Sequence, residues 1–455
     1  MQQGPTTGSF SIEGVRAFTD SGLRDVDVTV ADGRIVGLRP AARRTPERRL
    51  LLLPGLIDGH VHFREPGLTH KADIAGESRA AAAGGVTTVL DMPNVVPTTT
   101  TPEALAEKHR LFRTHCVVNY GLFYGITNTN VDEALRLPQD QICGYKVFLG
   151  SSTGGMLVDD AEALCRLMKG TRRVIAVHAE DESMIRAARA RLLAAAGPDA
   201  ADLPVGQHPL VRSAEACLSA TRTAVEAALR YGAHLHLCHV TTAAELDYLR
   251  RVRAQLEAGR TSVSQTESGP SAVAGGIGGT LGITAEACIA HLWFTDADYA
   301  RLGTRIKCNP AVKTAADRTA LRRALRDGTL DTVATDHAPH LLADKDGGAL
   351  RAASGMPSVQ FLLPVLLELV RRGVCSLADV VRLACVNPAR RFGIEGRDGI
   401  RVGNAADLVL VDPTATSTVT AEALCSKCGW SPFEGVTFHH KILHTWCNGK
   451  EVWHS

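Results

Sequence analysis

The sequence lacks an excess of charge of either sign. Its 455 residues include 50 Lys and Arg against 48 Asp and Glu, which gives a formal net charge of +2. The cationic residues are dispersed along the chain, so nothing indicates binding to nucleic acid or to an anionic membrane surface. Long apolar runs are also lacking: Phe361–Val370 is interrupted by Pro364 and Glu368, and no segment has the length of a membrane span.

The first residues, Met-Gln-Gln-Gly, have neither the charged nor the apolar region of a secretion signal. We therefore expect a cytosolic (cytoplasmic) protein, in which the twelve cysteines are reduced and most of them are small buried hydrophobic residues. Cys425-Ser-Lys-Cys428 has the spacing of half a zinc or redox site, but no second pair accompanies it.

What the chain does contain is a series of short segments rich in Val, Ile and Leu and bounded by Gly, Pro, Asp or Asn, as buried parallel strands are. There are eight of them: Leu56–Val61, Val86–Met92, Val117–Tyr124, Ile142–Leu149, Val174–His178, His234–His239, Ile283–Cys288 and Thr332–Thr335. Segments with helical periodicity separate them, including Glu103–Arg113, Ala161–Met168, Ala214–Tyr231, Ala243–Ala258, Arg318–Asp327 and Val359–Arg372. This alternation predicts an α/β fold, a (β/α)8 TIM barrel, over residues 54–395.

Several residues mark where the predicted helices begin and end. Thr101, Asp160 and Ser213 precede three of the helices as N-caps. Glycines such as Gly259 and Gly328 stand where helices should end.

The two ends of the chain differ from the barrel. Residues 1–53 and 396–455 contain short candidate strands and the hairpin signals Asp32-Gly33 and Asn448-Gly449. The candidate strands are Ser9–Thr19, Asp25–Ala31, Arg34–Leu38, Asp407–Val411 and Ile442–Val452. Because chain termini often lie close together, we expect the two ends to form one small β-sandwich domain.

The segment Ser262–Gly282 is dominated by Ser, Gly, Ala and Thr. Such a composition buries too little apolar surface to order itself readily. The segment connects a helix to the seventh strand, and such connections lie on the barrel face opposite the active site. We therefore interpret it as an insertion on the far face rather than a catalytic lid.

Histidines and an aspartate follow several of the predicted strands. His60 and His62 alternate at the end of the first barrel strand, so both side chains point to the same face and can grip one divalent ion. His178, His239 and Asp336 end the fifth, sixth and eighth strands. A parallel barrel gathers the carboxyl ends of its strands at one rim, which predicts that these residues converge. Such nitrogen and oxygen ligands suit catalytic zinc and leave manganese and cobalt open.

Lys146 ends the fourth strand, in Gly144-Tyr-Lys-Val-Phe-Leu-Gly150. Burial disfavours the charged ammonium and would lower its pKa. A neutral amine can add carbon dioxide to form a carbamate, an anionic ligand able to bridge two metal ions. A buried Lys–Asp ion pair fits the same position, and the sequence does not choose between the two.

Taken together, five motifs resemble the amidohydrolase superfamily and, within it, the single-chain bacterial dihydroorotase family. They are His60-Val-His-Phe-Arg-Glu-Pro-Gly67, Asp91-Met-Pro-Asn94, Lys146-Val-Phe-Leu-Gly-Ser-Ser-Thr-Gly154, Lys307-Cys-Asn-Pro310 and Thr335-Asp-His-Ala-Pro-His340. The resemblance extends over nearly the whole chain, including the stretch from Asn404 to Asp412.

The resemblance implies two Zn²⁺ ions, bridged by a carboxylated Lys146 and a hydroxide. The implied ligands are His60, His62, Lys146 and Asp336 for one ion, and Lys146, His178 and His239 for the other. The implied substrate-binding residues are Arg64, Asn94, Asn309 and His340, with the backbone around Ser354 and Gly355. The implied reaction is the reversible closure of N-carbamoyl-L-aspartate to dihydroorotate in pyrimidine biosynthesis, with the hydroxide as nucleophile and Asp336 as general acid and base. A homodimer is also implied.

Two other readings remain. A related cyclic amidase, allantoinase or dihydropyrimidinase, would use the same metals on an uncharged ring, whereas Arg64, with Asn94 and His340, favours a substrate that carries a carboxylate. A non-catalytic scaffold protein would be expected to have lost metal ligands, and none is lost here. The chain departs from the family in the Ser262–Gly282 insertion and in Ala290, which precedes His291 where a His-His pair is usual.

Overall fold

The computed structural model describes residues 8–41, 50–150, 155–263 and 282–455, with 259–263 described by their backbone alone. Most of the Ser262–Gly282 insertion and the end of the Lys146 motif therefore lie outside the described residues. Four strands precede the barrel: β1 Ser9–Thr19, β2 Gly22–Ala31, β3 Arg34–Pro40 and β4 Leu51–Pro54. Asp32 and Gly33 both have positive φ, 51° and 74°, as the predicted tight hairpin between β2 and β3 requires.

The barrel prediction is confirmed. Within the described residues, eight parallel strands form one sheet in chain order: β5 Leu56–Val61, β6 Val86–Asp91, β7 Asn119–Gly125, β8 Gly144–Phe148, β9 Ile175–His178, β10 Leu235–Leu237, β11 Thr284–Cys288 and β12 Thr332–Ala334. A bridge between Val61 and His337 brings the first and last strands together. Buried Asp58 reinforces this closure, because its carboxylate accepts hydrogen bonds from the backbone and the hydroxyl of Thr335 at 3.1 and 2.6 Å.

Helices alternate with the barrel strands as predicted. In the described ranges they are α1 Ile74–Ala83, α2 Pro102–His115, α3 Val131–Ala134, α4 Ala161–Gly170, α5 Glu182–Ala196, α6 His208–Val211, α7 Ala214–Tyr231, α8 Ala243–Val263, α9 Ile289–Trp293, α10 Tyr299–Leu302, α11 Ala315–Asp327, α12 Leu362–Arg371, α13 Leu377–Val381 and α14 Asn387–Phe392. The side chains of Thr101, Asp160 and Ser213 cap α2, α4 and α7.

One predicted helix end is wrong. Helix α8 continues past Gly259 to Val263. A glycine inside a helix costs only about 1 kcal/mol relative to alanine, which a long helix tolerates. Gly328, in contrast, follows α11 in the left-handed conformation, as predicted.

The two ends of the chain join, as expected. Strands β13 Leu408–Asp412, β16 Lys441–Cys447 and β17 Lys450–His454 complete a seven-stranded sheet with β1–β4, in the order β17-β16-β13-β4-β1-β2-β3, and β14 Ser417–Thr418 pairs separately with β15 Thr437–Phe438. Strand β4 lies between β1 and β13 and leads directly into the first barrel strand, so the sheet is anchored to the barrel. No helix of the described ranges is long and apolar enough to cross a membrane.

Candidate metal centre and substrate cavity

Three of the predicted metal ligands meet at the carboxyl ends of β5 and β12. Nε2 of His60 lies 3.3 Å from Oδ1 of Asp336, and Nε2 of His62 lies 3.1 Å from the same oxygen. The three residues offer donor atoms that all lie within 4.8 Å of one another. Two imidazole nitrogens and a carboxylate oxygen therefore face one point.

The other three predicted ligands lie beside this group. Nδ1 of His178 is 2.9 Å from Nε2 of His239, and the His239 ring centroid is 5.4 Å from that of His60. The ammonium of Lys146 is buried 3.1 Å from Sγ of Cys238. Lys146 forms no ion pair with a carboxylate of the described residues, so the Lys–Asp pair weighed from the sequence is absent from this part of the chain.

The ring nitrogens that point away from the centre have partners of their own. Nδ1 of His60 is 2.9 Å from Oε1 of Glu286, and Nδ1 of His62 is 2.6 Å from Oδ1 of Asn94. Nε2 of His178 is 2.9 Å from Oε2 of Glu180. Such outer acceptors fix the tautomer and the orientation of a metal-binding imidazole and leave the inner nitrogen free to coordinate.

The protonation of the buried rings fits coordination of a cation. Burial lowers the pKa of His62 to about 3 and, with the neighbouring His178, lowers that of His239 well below its usual value. Burial also acts on His60, but the carboxylates of Asp336 and Glu286 raise its pKa to about 10. Burial would raise the pKa of Asp336, yet His60 and His62 lower it to about 2. A divalent ion between His60 and Asp336 would take the place of the proton, so the donor set fits a metal centre.

Three residues at this rim have a left-handed backbone, which non-glycine residues adopt rarely. Arg64, His239 and Asp336 have φ of 66°, 36° and 50°. The other two non-glycine residues with positive φ in the described ranges, Asp32 and Asn448, lie in hairpin turns. Left-handed non-glycine residues are strained and persist where the surrounding structure holds them, often at functional sites.

A cavity of about 380 Å³ opens in front of the metal ligands. All six predicted substrate-binding residues line it: Arg64, Asn94, Asn309, His340, Ser354 and Gly355. The Nε of Arg64 donates to the carbonyl of Pro339 at 3.0 Å, which holds the guanidinium beside His340. Burial, Arg64 and Lys71 together lower the pKa of His340 to about 2, so this ring is neutral.

Sequence reasoning missed the residues that support the ligands. Glu286 lies in β11, and Glu180 follows His178 by two residues. The two-residue periodicity of strands could therefore have indicated both residues. Arg212 pairs with the buried Glu180 and, with His178, keeps the pKa of that carboxyl below its usual range against the effect of burial. Cys238 offers a further donor, since its sulfur lies near donor atoms of His60 and Glu286.

His208 was also missed, and it supports Asn309. Its Nε2 lies 2.9 Å from the carbonyl of Cys308 and 3.1 Å from Oδ1 of Asn309. Nearby, Nε2 of His291 is 3.0 Å from the carbonyl of Pro310. His291 follows Ala290 in α9, beyond the end of β11, and Ala290 packs in the core.

Most of the cysteines are buried, as expected. All twelve cysteines are free, and eight of them are buried. Cys425 and Cys428 form no disulfide, and Sγ of Cys428 lies 3.4 Å from the hydroxyl of Ser426.

Residues 51–452 match the amidohydrolase family. The chain belongs to that family. It is 33% identical to a dihydroorotase of Methanosarcina mazei, over 93% of this chain and 90% of the relative. It is equally 33% identical to an allantoinase of Solibacter usitatus, over 97% and 93% of the two chains. The fold resembles that of an L-hydantoinase (dihydropyrimidinase) from Arthrobacter aurescens, with a TM-score of 0.84, 24% identity and 97% and 95% coverage. These identities establish that the chain is a hydrolase of this family. They do not distinguish between the candidate substrates.

Proposed function

We propose that the protein is a dihydroorotase, which interconverts N-carbamoyl-L-aspartate and dihydroorotate at a centre of two zinc ions. Several relatives named dihydroorotase, at 30–36% identity over nearly the whole chain, support this proposal. The relative named allantoinase is as similar as some of these, so identity alone does not decide. The positive charge of the cavity supports dihydroorotase over allantoinase.

Buried positive charge without a carboxylate partner is the observation that carries the proposal. Arg64 and Lys307 line the cavity and are 2% and 3% exposed. Their donors contact backbone carbonyls or a histidine ring, and neither forms an ion pair with a carboxylate in the described part of the chain. Buried charges are normally paired, because leaving water is costly for them. An anionic group on the substrate would supply the missing partner.

This charge distinguishes the candidate substrates. Dihydroorotate carries a carboxylate outside the amide bond that is cleaved, and this carboxylate is present in both the cyclic and the open form. Allantoin and dihydrouracil are uncharged and would leave these buried cations without a compensating charge. The guanidinium of Arg64 can hold a carboxylate through two charge-assisted hydrogen bonds.

The residues of the metal centre have separate roles in the proposed reaction. Two divalent ions, when bound by the six ligands, would polarise the amide carbonyl and lower the pKa of a water molecule. Asp336, whose carboxylate is ionised, would accept the proton of that water and return it to the departing ring nitrogen. Glu286 and Glu180 would hold the rings of His60 and His178 in place. Lys146, if carboxylated, would add negative charge to the ligand set. A homodimer and a cytoplasmic location remain predictions.

The test is a comparison of substrates on the purified, metal-replete protein. We expect kcat/KM for dihydroorotate to exceed that for dihydrouracil and allantoin by about 30-fold or more, the loss expected for a missing charge-assisted contact. The reverse reaction with N-carbamoyl-L-aspartate should proceed on the same enzyme, and Asp336→Asn should lower kcat for both directions about 100-fold or more. A preference for allantoin would assign the protein to the allantoinases, and no turnover of any of the three by a metal-replete protein would favour a scaffold.

A further inference from the structure

One wall of the cavity is a backbone segment, and each of its carbonyls lies within hydrogen-bond distance of a side chain. It consists of residues 352–355. The ammonium of Lys345 donates to the carbonyls of Ala353 and Gly355 at 2.6 and 2.9 Å. Nε2 of His340 lies 3.1 Å from the carbonyl of Ser354, and the Lys307 ammonium donates to the carbonyl of Ala352. Three of the four carbonyls therefore accept hydrogen bonds from Lys345 and Lys307, and the Ser354 carbonyl lies beside His340.

The amide hydrogens of the same segment are used differently. The Ala353 N–H donates to the carbonyl of Asp344 at 2.8 Å, and the Gly355 N–H donates to that of Lys307 at 2.9 Å. The Ala352 N–H donates to the Gly348 carbonyl at 3.4 Å. The Ser354 N–H has no acceptor among the described residues. It is the one amide of the segment that remains available to a ligand.

The direction of this N–H follows from the anchoring of its own peptide group. The Ala353–Ser354 peptide is trans, since the cis bonds of the described chain all precede prolines. A trans peptide places its C=O and N–H on opposite sides. With the Ala353 carbonyl bound to Lys345, the Ser354 N–H points away from Lys345, and Ser354 lines the cavity.

Lys345 is suited to this task by its number of donors. An ammonium has three N–H bonds, and the third contacts the carbonyl of Lys307 at 3.1 Å. The Trp430 ring lies 5.9 Å from the ammonium, and its indole N–H donates to the carbonyl of His340 at 2.8 Å. Gly355 must remain a glycine here, because a Cβ would lie 2.4 Å from the carbonyl oxygen of Ala338. The segment is thus fixed from several sides.

The family resemblance assigns the backbone at Ser354 and Gly355 to the substrate. We propose that Lys345 is the residue that positions this backbone: it holds the 352–355 segment so that the Ser354 N–H donates to the substrate carboxylate beside Arg64. His340 lies beside both, because its Nε2 is 3.1 Å from the Arg64 guanidinium and 3.1 Å from the Ser354 carbonyl; the neutral ring accepts from the first or donates to the second, depending on its tautomer. The proposal rests on the proposed function, since it takes the ligand to be the carboxylate of dihydroorotate.

A matched pair of substitutions at residue 354 tests the N–H itself. Ser354→Ala keeps the amide hydrogen and should leave KM for dihydroorotate within about threefold of wild type. Ser354→Pro removes this donor and should raise KM about 10- to 100-fold, as expected for a lost hydrogen bond to a charged group. Because the contact is made in both the bound substrate and the transition state, kcat should change much less than KM.

Lys345→Met tests the positioning and does not depend on a folded proline variant. It should raise KM for dihydroorotate by a similar factor, change kcat/KM for dihydrouracil little, and leave the metal content unchanged. Lys169→Met, at an exposed position of α4, is the control. A lower melting temperature with unchanged KM would reduce Lys345 to a structural role, and equal KM values for folded Ser354→Pro and Ser354→Ala would overturn the proposal. A wild type that does not turn over dihydroorotate would instead refute the proposed function.

Discussion

The substitution Arg64→Met addresses the choice of substrate most directly. It removes the guanidinium and roughly keeps the length of the side chain. The left-handed backbone of residue 64, with φ of 66°, has the same cost for either unbranched side chain. The change therefore tests the charge and its hydrogen bonds rather than the backbone.

The expected magnitude follows from the contacts of Arg64. A lost charge-assisted, two-pronged contact with the substrate carboxylate should cost about 2–4 kcal/mol, or about 30- to 800-fold in kcat/KM for dihydroorotate. Uncharged dihydrouracil should lose less than about threefold. In the free protein, the Pro339 carbonyl loses its donor, which costs about 1–3 kcal/mol of stability. Relief of the repulsion between Arg64 and Lys345 should offset part of that cost.

The assay measures kcat/KM for dihydroorotate and dihydrouracil on wild type and variant, with metal content and melting temperature measured alongside. Arg110→Met, on the exposed face of α2 where Arg110 pairs with Glu107, is the control. The reasoning is refuted if the folded, metal-replete variant keeps the wild-type ratio between the two substrates.

Three further predictions concern the metal centre. Asp336→Asn should keep most of the metal, measured by elemental analysis, while kcat falls about 100-fold or more, and near-normal turnover would rule out its role in proton transfer. Lys146→Ala should lower metal content, and added short carboxylic acids should restore part of the activity; an unmodified ammonium in a metal-replete crystal structure would disprove the carbamate. Glu286→Gln, which removes the charge facing His60 Nδ1, should weaken metal affinity about 10- to 100-fold in a chelator competition, and an unchanged affinity would contradict its supporting role.

Much of the barrel could be predicted because its signals are local. The strands are short apolar runs with turn residues at both ends, and the helices carry their own caps, such as Ser213 before α7. A parallel barrel then places every strand end at one rim, so residues as distant in sequence as His60 and Asp336 could be predicted to meet. The position of a residue at the end of a barrel strand therefore predicts that it lies at the site.

The supporting contacts could not be predicted in the same way, because they depend on how distant segments pack. The partner of His60 is Glu286, 226 residues away, inside a strand that reads as core. Lys345 lies in a turn, and nothing in the spacing around it indicates that its ammonium contacts the carbonyls of Ala353 and Gly355. Gly259 shows the opposite error, since a residue that often ends helices was outweighed by the length of α8.

The distribution of charge around the cavity gives the site a direction. Carboxylates lie at the metal centre, where Asp336, Glu286 and Glu180 face histidines. Arg64 and Lys307, which pair with no carboxylate of the described residues, line the same cavity. A dihydropyrimidine ring has two carbonyl groups of similar shape, so shape alone distinguishes poorly between two orientations in the cavity. A carboxylate on the ring removes this ambiguity, because Arg64 and Lys307 attract it. A substrate that carries this carboxylate would therefore both balance the buried charge and be held in one orientation.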